Sequence, residues 1–227
     1  MRLLFSTLAT KIAEYRLVQT LTFQRTIPEG LEGWDRLLVT DVESSVARPQ
    51  DYAVLCDRLF TRGKFNYSRC RNASMHYAHE HGYDWLIQAN PDIVMLHPPR
   101  SFPENGLSSV MTYHAKPGEN IPGVIRRWRA EKELAFAATT YFLMGRAIFS
   151  KYRFCEDFYG YGYDDIDFLN NVMWPDRISR LDGTTFGARA IHVSYPGNIW
   201  GDSGSDHTRN RSLFEERWGR TCAGGRP

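Results

Sequence analysis

Cysteine is scarce in this chain, and its four cysteines lie far apart. Cys56, Cys70, Cys155 and Cys222 form no CxxC pair within the 227 residues. Structural zinc sites use paired cysteines, and disulfide scaffolds are typical of short, cysteine-rich secreted chains. We therefore expect reduced, mostly buried thiols, and we predict neither a zinc site nor a disulfide framework.

An excess of one charge is also missing. The chain has 28 Lys and Arg residues against 26 Asp and Glu residues, a net charge of +2. Such a balance produces no global positive field that would attract nucleic acid. The local exception is Arg126-Arg127-Trp128-Arg129. A solvated helix face is favoured there over contact with a polyanion.

Long hydrophobic runs are absent as well. The first sixteen residues, MRLLFSTLATKIAEYR, contain a short apolar run that polar residues soon interrupt. This run is too short for a signal peptide or a membrane span. We therefore expect a soluble, cytoplasmic protein.

Strand-like and helix-like segments alternate through the first hundred residues. Strands are predicted at Leu3–Phe5, 35–41 and 83–89, and helices at 11–22, 50–62 and 68–80. This alternation is typical of a mostly parallel sheet with helices on both faces. No repeat, low-complexity block or linker interrupts the chain, so we predict an α/β fold in a single domain, residues 1–227.

The second half gives weaker signals. Residues 97–133 are predicted to be loop-rich, because they contain five prolines. Further elements are predicted as a strand passing into a helix at 139–149, a helix at 166–172, a strand at 189–193 and a helix at 209–218. The glycine- and serine-rich stretch 197–206 is predicted to be mobile and to close over a ligand as a lid.

Acidic residues follow two predicted strands. Asp41 ends one strand, and Asn90-Pro91-Asp92 follows the next. The carboxyl ends of parallel strands form the edge where ligands bind. An acid in a tight turn there suits a hard divalent cation, although an Asx-turn or a helix cap would also explain Asp92.

His192 ends a later apolar strand, so its imidazole could face the same edge. A strand-end histidine is more often a packed or surface side chain, and only pairing with Asp92 favours a metal site. One carboxylate and one imidazole beside diphosphate oxygens would suit Mn²⁺ better than a closed zinc site.

The densest acidic cluster is FYGYGYDDIDF, residues 158–168. Asp164, Asp165 and Asp167 begin a predicted helix, whose electropositive N-terminus favours carboxylates. Gly160 and Gly162 let the backbone bend and approach a ligand closely. One acid can cap the helix, a second can take a proton, and Asp167 can pair with a cation elsewhere. A purely acidic helix cap would explain one or two of the acids but not the GYGY before them.

Residues 158–168 resemble the element Phe/Trp-x-Gly-Trp/Tyr-Gly-x-Glu/Asp-Asp-x-Asp-Leu/Phe of inverting GT-A glycosyltransferases, found in family 2 enzymes and in the galactosyltransferase-type C-terminal region. Four other segments resemble this family in the same order, over about residues 1–220. They are LLVTDVESS, FNYSRCRNASMHYAHEHGYDWLIQANPDIVM, TTYFLMGRAIFSKYRF and IHVSYPGN…RNRSLFEERWG, the last similar to an ending H-x-x-S…N-R-x-x-F-x-x-K-W-G.

The resemblance implies a GT-A (Rossmann-like) domain, with a nucleotide-sugar-binding half in residues 1–96 and an acceptor-binding, catalytic half in residues 97–227. It implies that Asp41, Arg71, Asn90 and Asp92 bind the nucleotide-sugar. It also implies that Asp92 and His192 ligate Mn²⁺ or Mg²⁺.

In the second half, the resemblance implies that Asp165 is the catalytic base. Asp164, Tyr161, Gly162 and Tyr163 would bind the acceptor. The chain departs from the family pattern in three places. Asn90 replaces the first acid of the DxD motif, Asp41-VESS replaces a DDGS turn, and Asp164 replaces a longer Glu.

The expected function is metal-dependent, inverting transfer of a sugar from a nucleotide-diphosphate sugar, a UDP-sugar by the resemblance, to an acceptor hydroxyl. The acceptor would be a saccharide or another hydroxyl-bearing molecule, and residues 126–129 leave modified nucleic acid open. A non-catalytic sugar- or nucleotide-binding protein of the same fold is the first alternative. A nucleotidyltransferase is less favoured, because Ser6-TLATK lacks the glycines of a phosphate-cradling loop.

Overall fold

The computed structural model describes the chain in segments. These are residues 1–9, 33–41, 57–61, 66–90, 93–97, 99–102, 106–114, 122–123, 126–127, 136–160, 162–176, 181–182, 189–192 and 203–219. The predicted helix 11–22, Cys56, Asp92, Tyr161 and Cys222 lie outside these residues. Within them, Cys70 is buried, Cys155 is partly buried, and both are free thiols, as expected.

The described residues form one nine-stranded sheet. Its strands are β1 (Leu3–Ala9), β2 (Trp34–Asp41), β3 (Asp57–Thr61), β4 (Trp85–Ala89), β5 (Ile93–His97), β6 (Leu107–His114), β7 (Phe136–Gly145), β8 (Leu181–Asp182) and β9 (Arg189–His192). The strand order is β3-β2-β1-β4-β7-β6-β9-β5, and β8 pairs with β6. Five of the described pairings are parallel and three are antiparallel. The α/β fold with a mostly parallel sheet is therefore confirmed.

Besides short helical pieces at 122–123 and 126–127, four helices accompany the sheet in the described part of the chain. They are α1 (Tyr67–Glu80), α2 (Arg146–Lys151), α3 (Asp164–Asp176) and α4 (Ser203–Trp218). Asn66 starts α1 as an N-cap, and its side-chain oxygen accepts a hydrogen bond from the Arg69 N–H at 2.9 Å. The predicted helix 68–80 matches α1 to within one residue, whereas α3 begins two residues before and ends four residues after the predicted helix 166–172.

Alternating side chains divide the core between the two faces of the sheet. In β1, Leu4 and Leu8 face one apolar cluster, and Phe5 faces the other. The same alternation separates Leu86 from Trp85 in β4. Helices α1, α2 and α3 pack on the Leu4 face. All five residues of β4 are buried, as in a strand covered on both faces.

Two local predictions were wrong. Residues 57–61 form strand β3 within the predicted helix 50–62, because they pair in parallel with β2. Strand β6 lies inside the predicted loop region 97–133, between β7 and β9. In both segments a neighbouring strand decides a conformation that the local pattern leaves open. Of the stretch predicted to be a mobile lid, residues 203–206 form the first turn of α4, and residues 197–202 lie outside the described residues.

Candidate active site

The carboxyl end of β4 lies where the strand order of the sheet reverses. Strand β1 pairs with β2 on one side and with β4 on the other. In open α/β sheets, ligands bind outside such a switch point. Asn90 follows β4 directly, and its carbonyl oxygen accepts a hydrogen bond from the Ile93 N–H at 3.1 Å. This bond closes a tight turn at the edge where the sequence predicted it.

The sheet register brings His192 to the same turn. The Cα atom of His192 pairs with that of Ile93, the residue that follows Asp92. Asp41 ends β2, which is parallel to β1. The structure describes only the backbone of Asp41 and His192. Their backbone positions at the ends of β2 and β9 agree with the predicted placement.

The described residues include no group of three or more His, Cys, Asp or Glu side chains that could hold a metal ion. The predicted pair nevertheless fits a divalent cation. A carboxylate and an imidazole are suitable ligands, and the β5–β9 register puts His192 beside the residue after Asp92.

Arg71 is the most unusual charged side chain near this edge. It is only 3% exposed, and its guanidinium carbon lies 5.0 Å and 5.2 Å from the ring centroids of Phe142 and Phe154. Its Nη2 donates a long hydrogen bond, 3.5 Å, to Asn90 Oδ1. Among the described residues, Nε and Nη1 have no hydrogen-bond partner. Buried donors without acceptors are costly, so this guanidinium is suited to an anionic ligand.

The second part of the site is the tyrosine–glycine loop, residues 158–163. The structure describes all of it except Tyr161. Gly160 and Gly162 have φ values of 76° and 90°, which glycine adopts readily. Tyr163 has φ 70° and is the one non-glycine residue with positive φ in the described part of the chain. Helix α3 begins directly after it, at Asp164.

Asp164 and Asp165 are both partly exposed at the N-terminus of α3. Desolvation of its carboxylate and the negative charge of Asp165 together raise the pKa of Asp164 to about 6, after the positive charge of Arg71 has offset part of the shift. Arg71 therefore acts on Asp164 and also bonds Asn90. The acid pair and the switch-point edge share one buried cation.

Asp167 has a different environment from the acid pair. It is buried, and its Oδ1 accepts hydrogen bonds from Trp218 Nε1 and Arg217 Nε, both at 2.9 Å. Burial raises its pKa, while Trp218 and Arg217 lower it part of the way back. The sequence-based expectation that Asp167 pairs with a distant cation is confirmed.

Sequence reasoning missed the residues of α4 that contact the tyrosine–glycine loop. Arg209 and Asn210 both donate hydrogen bonds to the Tyr159 carbonyl oxygen. A signal was present, because these residues lie in the RNRSLFEERWG segment of the family resemblance. That resemblance gave them no role.

The structure describes two of the four residues of the arginine-rich segment, and both are helical. Arg126 is exposed and Arg127 is partly buried, whereas Trp128 and Arg129 lie outside the described residues. Where the structure describes the chain, its helices are all too short or too polar to cross a lipid bilayer.

Comparisons of the sequence and of the structure with known proteins give different results. The sequence matches no protein-family model, and it matches no curated protein significantly. The structure is similar to that of S. aureus TarS residues 1–349 bound to UDP-GlcNAc, with TM-score 0.58, 10% identity and coverage of 95% of this chain and 66% of that one. It is also similar to GalNAc-T7 with UDP, GalNAc and Mn²⁺, with TM-score 0.68, 11% identity and coverage of 96% and 48%.

A third similar structure is glucosyl-3-phosphoglycerate synthase from Mycobacterium tuberculosis with Mn²⁺, UDP and glucosyl-3-phosphoglycerate. Here the TM-score is 0.59 at 12% identity, over 98% of this chain and 82% of that one. This chain has the GT-A glycosyltransferase fold. It spans about half of the GalNAc-T7 chain and just under two thirds of the TarS chain.

Proposed function

We propose that this GT-A chain is a metal-dependent, inverting glycosyltransferase that moves a sugar from a UDP-sugar to an acceptor hydroxyl. The position of Arg71 carries the proposal. Its guanidinium bonds Asn90 at the switch-point edge, and its charge acts on Asp164 of the acid pair. Glycosyl transfer needs an edge that binds the donor and, next to it, a pair of carboxylates.

The donor binds through Asp41, Arg71, Asn90 and Asp92 in this proposal. Bound UDP or a UDP-sugar in TarS, GalNAc-T7 and glucosyl-3-phosphoglycerate synthase favours a uridine nucleotide. The two unused donors of Arg71, Nε and Nη1, suit diphosphate oxygens, because guanidinium–phosphate hydrogen bonds are charge-assisted.

Asp92 and His192 are the residues that would hold Mn²⁺ or Mg²⁺. A divalent cation at this edge neutralises negative charge on a leaving diphosphate. The Mn²⁺ in the GalNAc-T7 and glucosyl-3-phosphoglycerate synthase structures favours this cofactor.

Asp165 is the proposed general base. It takes the proton of the acceptor hydroxyl while the oxygen forms a bond to the anomeric carbon. The bond from that carbon to the diphosphate oxygen breaks, and the nucleoside diphosphate leaves with the electron pair. One displacement of this kind inverts the anomeric centre. Asp164, Tyr161, Gly162 and Tyr163 bind the acceptor, a saccharide or another hydroxyl-bearing molecule.

Asp164 is the second candidate for the base, because a pKa near 6 is better matched to proton transfer near neutral pH. The two roles separate kinetically. Replacing the base lowers kcat, whereas replacing a residue that only binds the acceptor raises the acceptor KM.

The test begins with a thermal-shift screen of nucleotide-sugars, with and without Mn²⁺, because a ligand that binds only the folded chain raises its Tm. Nucleoside diphosphate release is then measured with a panel of saccharide acceptors. We expect Asp165→Asn to lower kcat by about 10²–10⁴-fold with donor affinity unchanged. Asp157→Asn, an exposed acid just before the loop, is the matched control and should keep full activity.

Unchanged turnover in Asp165→Asn would remove Asp165 from the mechanism, and a loss confined to Asp164→Asn would make Asp164 the base. The alternative of a non-catalytic binding protein is motivated by Asn90, where the resemblance has an acid. It predicts a Tm increase with a nucleotide-sugar but no release of nucleoside diphosphate with any acceptor.

A further inference from the structure

Helix α4 contacts the backbone of the tyrosine–glycine loop through a buried asparagine. Asn210 is 1% exposed, and its Nδ2 donates to the carbonyl oxygens of Tyr159 at 3.1 Å and Gly162 at 3.0 Å. One amide nitrogen therefore joins two carbonyls that are three residues apart. This bridge fixes the curvature of the loop just before Asp164.

Arg209 strengthens the same attachment. Its Nη2 donates to the Tyr159 carbonyl oxygen and to Asn210 Oδ1, both at 2.7 Å. The bond to Oδ1 fixes the orientation of the Asn210 amide, so that its nitrogen points at the loop. The guanidinium carbon of Arg209 also lies 3.1 Å from the centroid of the Tyr159 ring.

The last turn of α4 makes a second attachment, beyond the acid pair. Trp218 and Arg217 both donate to Asp167 Oδ1 in the first turn of α3. Between the two attachments, Phe214 packs with Phe158 and Tyr163 in a small apolar cluster. Asp164 and Asp165 thus lie in a segment held at Gly162 on one side and at Asp167 on the other.

The backbone at Tyr163 explains why such a brace is needed. A non-glycine residue at φ 70° is strained, and this conformation persists only where surrounding contacts enforce it. The ring of Tyr163 lies 5.6 Å from that of Phe214 and 4.9 Å from that of His207, both on α4. Release of α4 would let Tyr163 relax, and the acid pair directly after it would move.

We propose that helix α4 is a positioning element for the acid pair, and that Asn210 and Asp167 are its positioning residues. The proposal rests on the proposed transferase function for its catalytic meaning. That α4 holds residues 158–167 in place does not depend on that function. It also gives the RNRSLFEERWG segment a role, because Asn210, Phe214, Arg217 and Trp218 of that segment all make the contacts described above.

The test compares Asn210→Ala with Glu216→Gln, an exposed change on the same helix. Hydrogen exchange of residues 158–167 is measured by mass spectrometry on the resting protein. We expect exchange there to be at least tenfold faster in Asn210→Ala, with α1 and β4 unchanged, and wild-type exchange in Glu216→Gln. Equal exchange in both variants, or faster exchange across the whole chain, overturns the proposal whether or not the protein is a transferase.

Kinetics then separate positioning from simple destabilisation. Asn210→Ala should lower kcat by about 10–100-fold, because a displacement of about 1 Å can cost that much, while donor affinity stays within about twofold. Asp167→Ala should behave likewise. Asp167→Asn should recover most of the loss, because its remaining oxygen still accepts both hydrogen bonds. A loss of donor affinity equal to the loss of kcat would contradict positioning.

Trp218→Phe provides a second variant if Asn210→Ala does not fold. It keeps an aromatic ring in the apolar cluster but removes the indole N–H that bonds Asp167, together with part of the ring volume. We expect faster exchange at residues 164–168 and a smaller decrease in kcat, about threefold or more. Wild-type exchange at these residues would overturn the role of Asp167.

Discussion

The turn at Asn90 and the tyrosine–glycine loop border the same candidate site, but different interactions hold them. Strand β4 leads into the Asn90 turn, is entirely buried and is hydrogen-bonded to a neighbouring strand on each side. The loop has no sheet partner in the described residues, and three of its described residues have positive φ. Side-chain bonds from α4 to its carbonyl oxygens hold it. Backbone pairing along a whole strand therefore fixes the Asn90 turn, whereas a few side-chain hydrogen bonds fix the tyrosine–glycine loop.

This difference has a functional consequence. The proposed donor site on the sheet edge should tolerate the loss of one contact, because the remaining strand pairing keeps the turn in place. The acid pair depends on particular side chains, so single substitutions there should alter geometry before they alter global stability. Three predictions test the contrast, from the largest expected effect to the smallest.

The largest loss of stability should follow from Phe168→Ala. This change removes packing between α3, which follows the tyrosine–glycine loop, and strand β7 of the sheet. Phe168 lies on α3, stacks on Phe154 at 3.9 Å between ring centroids, and meets Phe142 of β7 at 5.9 Å. Removing a fully buried ring leaves a cavity, so we expect a loss of about 3–5 kcal/mol in the free energy of unfolding, measured by urea denaturation. Phe168→Leu, which fills most of the space, should lose about 1 kcal/mol. Equal losses would contradict this account.

A smaller effect should separate two glycines with similar backbones, one at the start of a sheet strand and one in the tyrosine–glycine loop. Gly33, before β2, has φ 80° and open space where a Cβ would lie, so Gly33→Ala should cost about 1–2 kcal/mol from φ alone. Gly160 has φ 76°, but a Cβ there would lie 2.0 Å from Asp206 Oδ2 on α4. Gly160→Ala should therefore cost about 1–3 kcal/mol more, because the whole Asp206 side chain, including its Cβ at 2.8 Å, must shift.

The double variant Gly160→Ala/Asp206→Ala checks the cause by denaturation. It should recover part of the difference between the two glycine variants, because the Asp206 Cβ, 2.8 Å from the added methyl group, remains, and it should not recover the cost of the φ angle. If Gly160→Ala is no more costly than Gly33→Ala, close packing of α4 on the loop does not constrain it.

The smallest effect should be the pH dependence of stability that Asp164 produces. Its pKa is raised to about 6 in the folded chain, so the folded state binds this proton more tightly than the unfolded state. Stability from this group is greatest below the ordinary pKa of an aspartate and is lost as pH rises to about 6. The Tm of wild type relative to Asp164→Asn should fall between about pH 4 and pH 6 and be constant above about pH 7. A relative Tm that rises over this range would refute the buried environment assigned to Asp164.

Much of the sheet was predictable because its strands carry their own signals. The apolar runs at β1, β2 and β4, and the polar residues that end β2 and β4, predicted a parallel sheet with Asp41 and Asp92 on one edge, of which Asp92 lies outside the described residues. Strand β3 was not predictable, since its five residues become a strand only by pairing with β2. Strand β6 was likewise hidden among prolines and is defined by its partners β7 and β9.

The candidate site likewise has one part that could be predicted from the sequence and one part that could not. The acid cluster, its glycines and the helix after it could be predicted from residues 158–168 alone. The buried state of Arg71, its contact with Asn90 and its effect on Asp164 could not, because three distant segments of the chain meet there. The sequence also gave no reason to choose Arg217 as the cation that pairs with Asp167, fifty residues away along the chain.

The order of residues by itself determined the first parallel strands, helix α1, which turns carry acids and amides and where like charges accumulate, because these depend on local periodicity and turn chemistry. Only the tertiary structure decided which cation lies between the two parts of the site and which helix fixes the strained loop. Those outcomes depend on burial and on hydrogen bonds between segments far apart in the chain, whose energies no local pattern records.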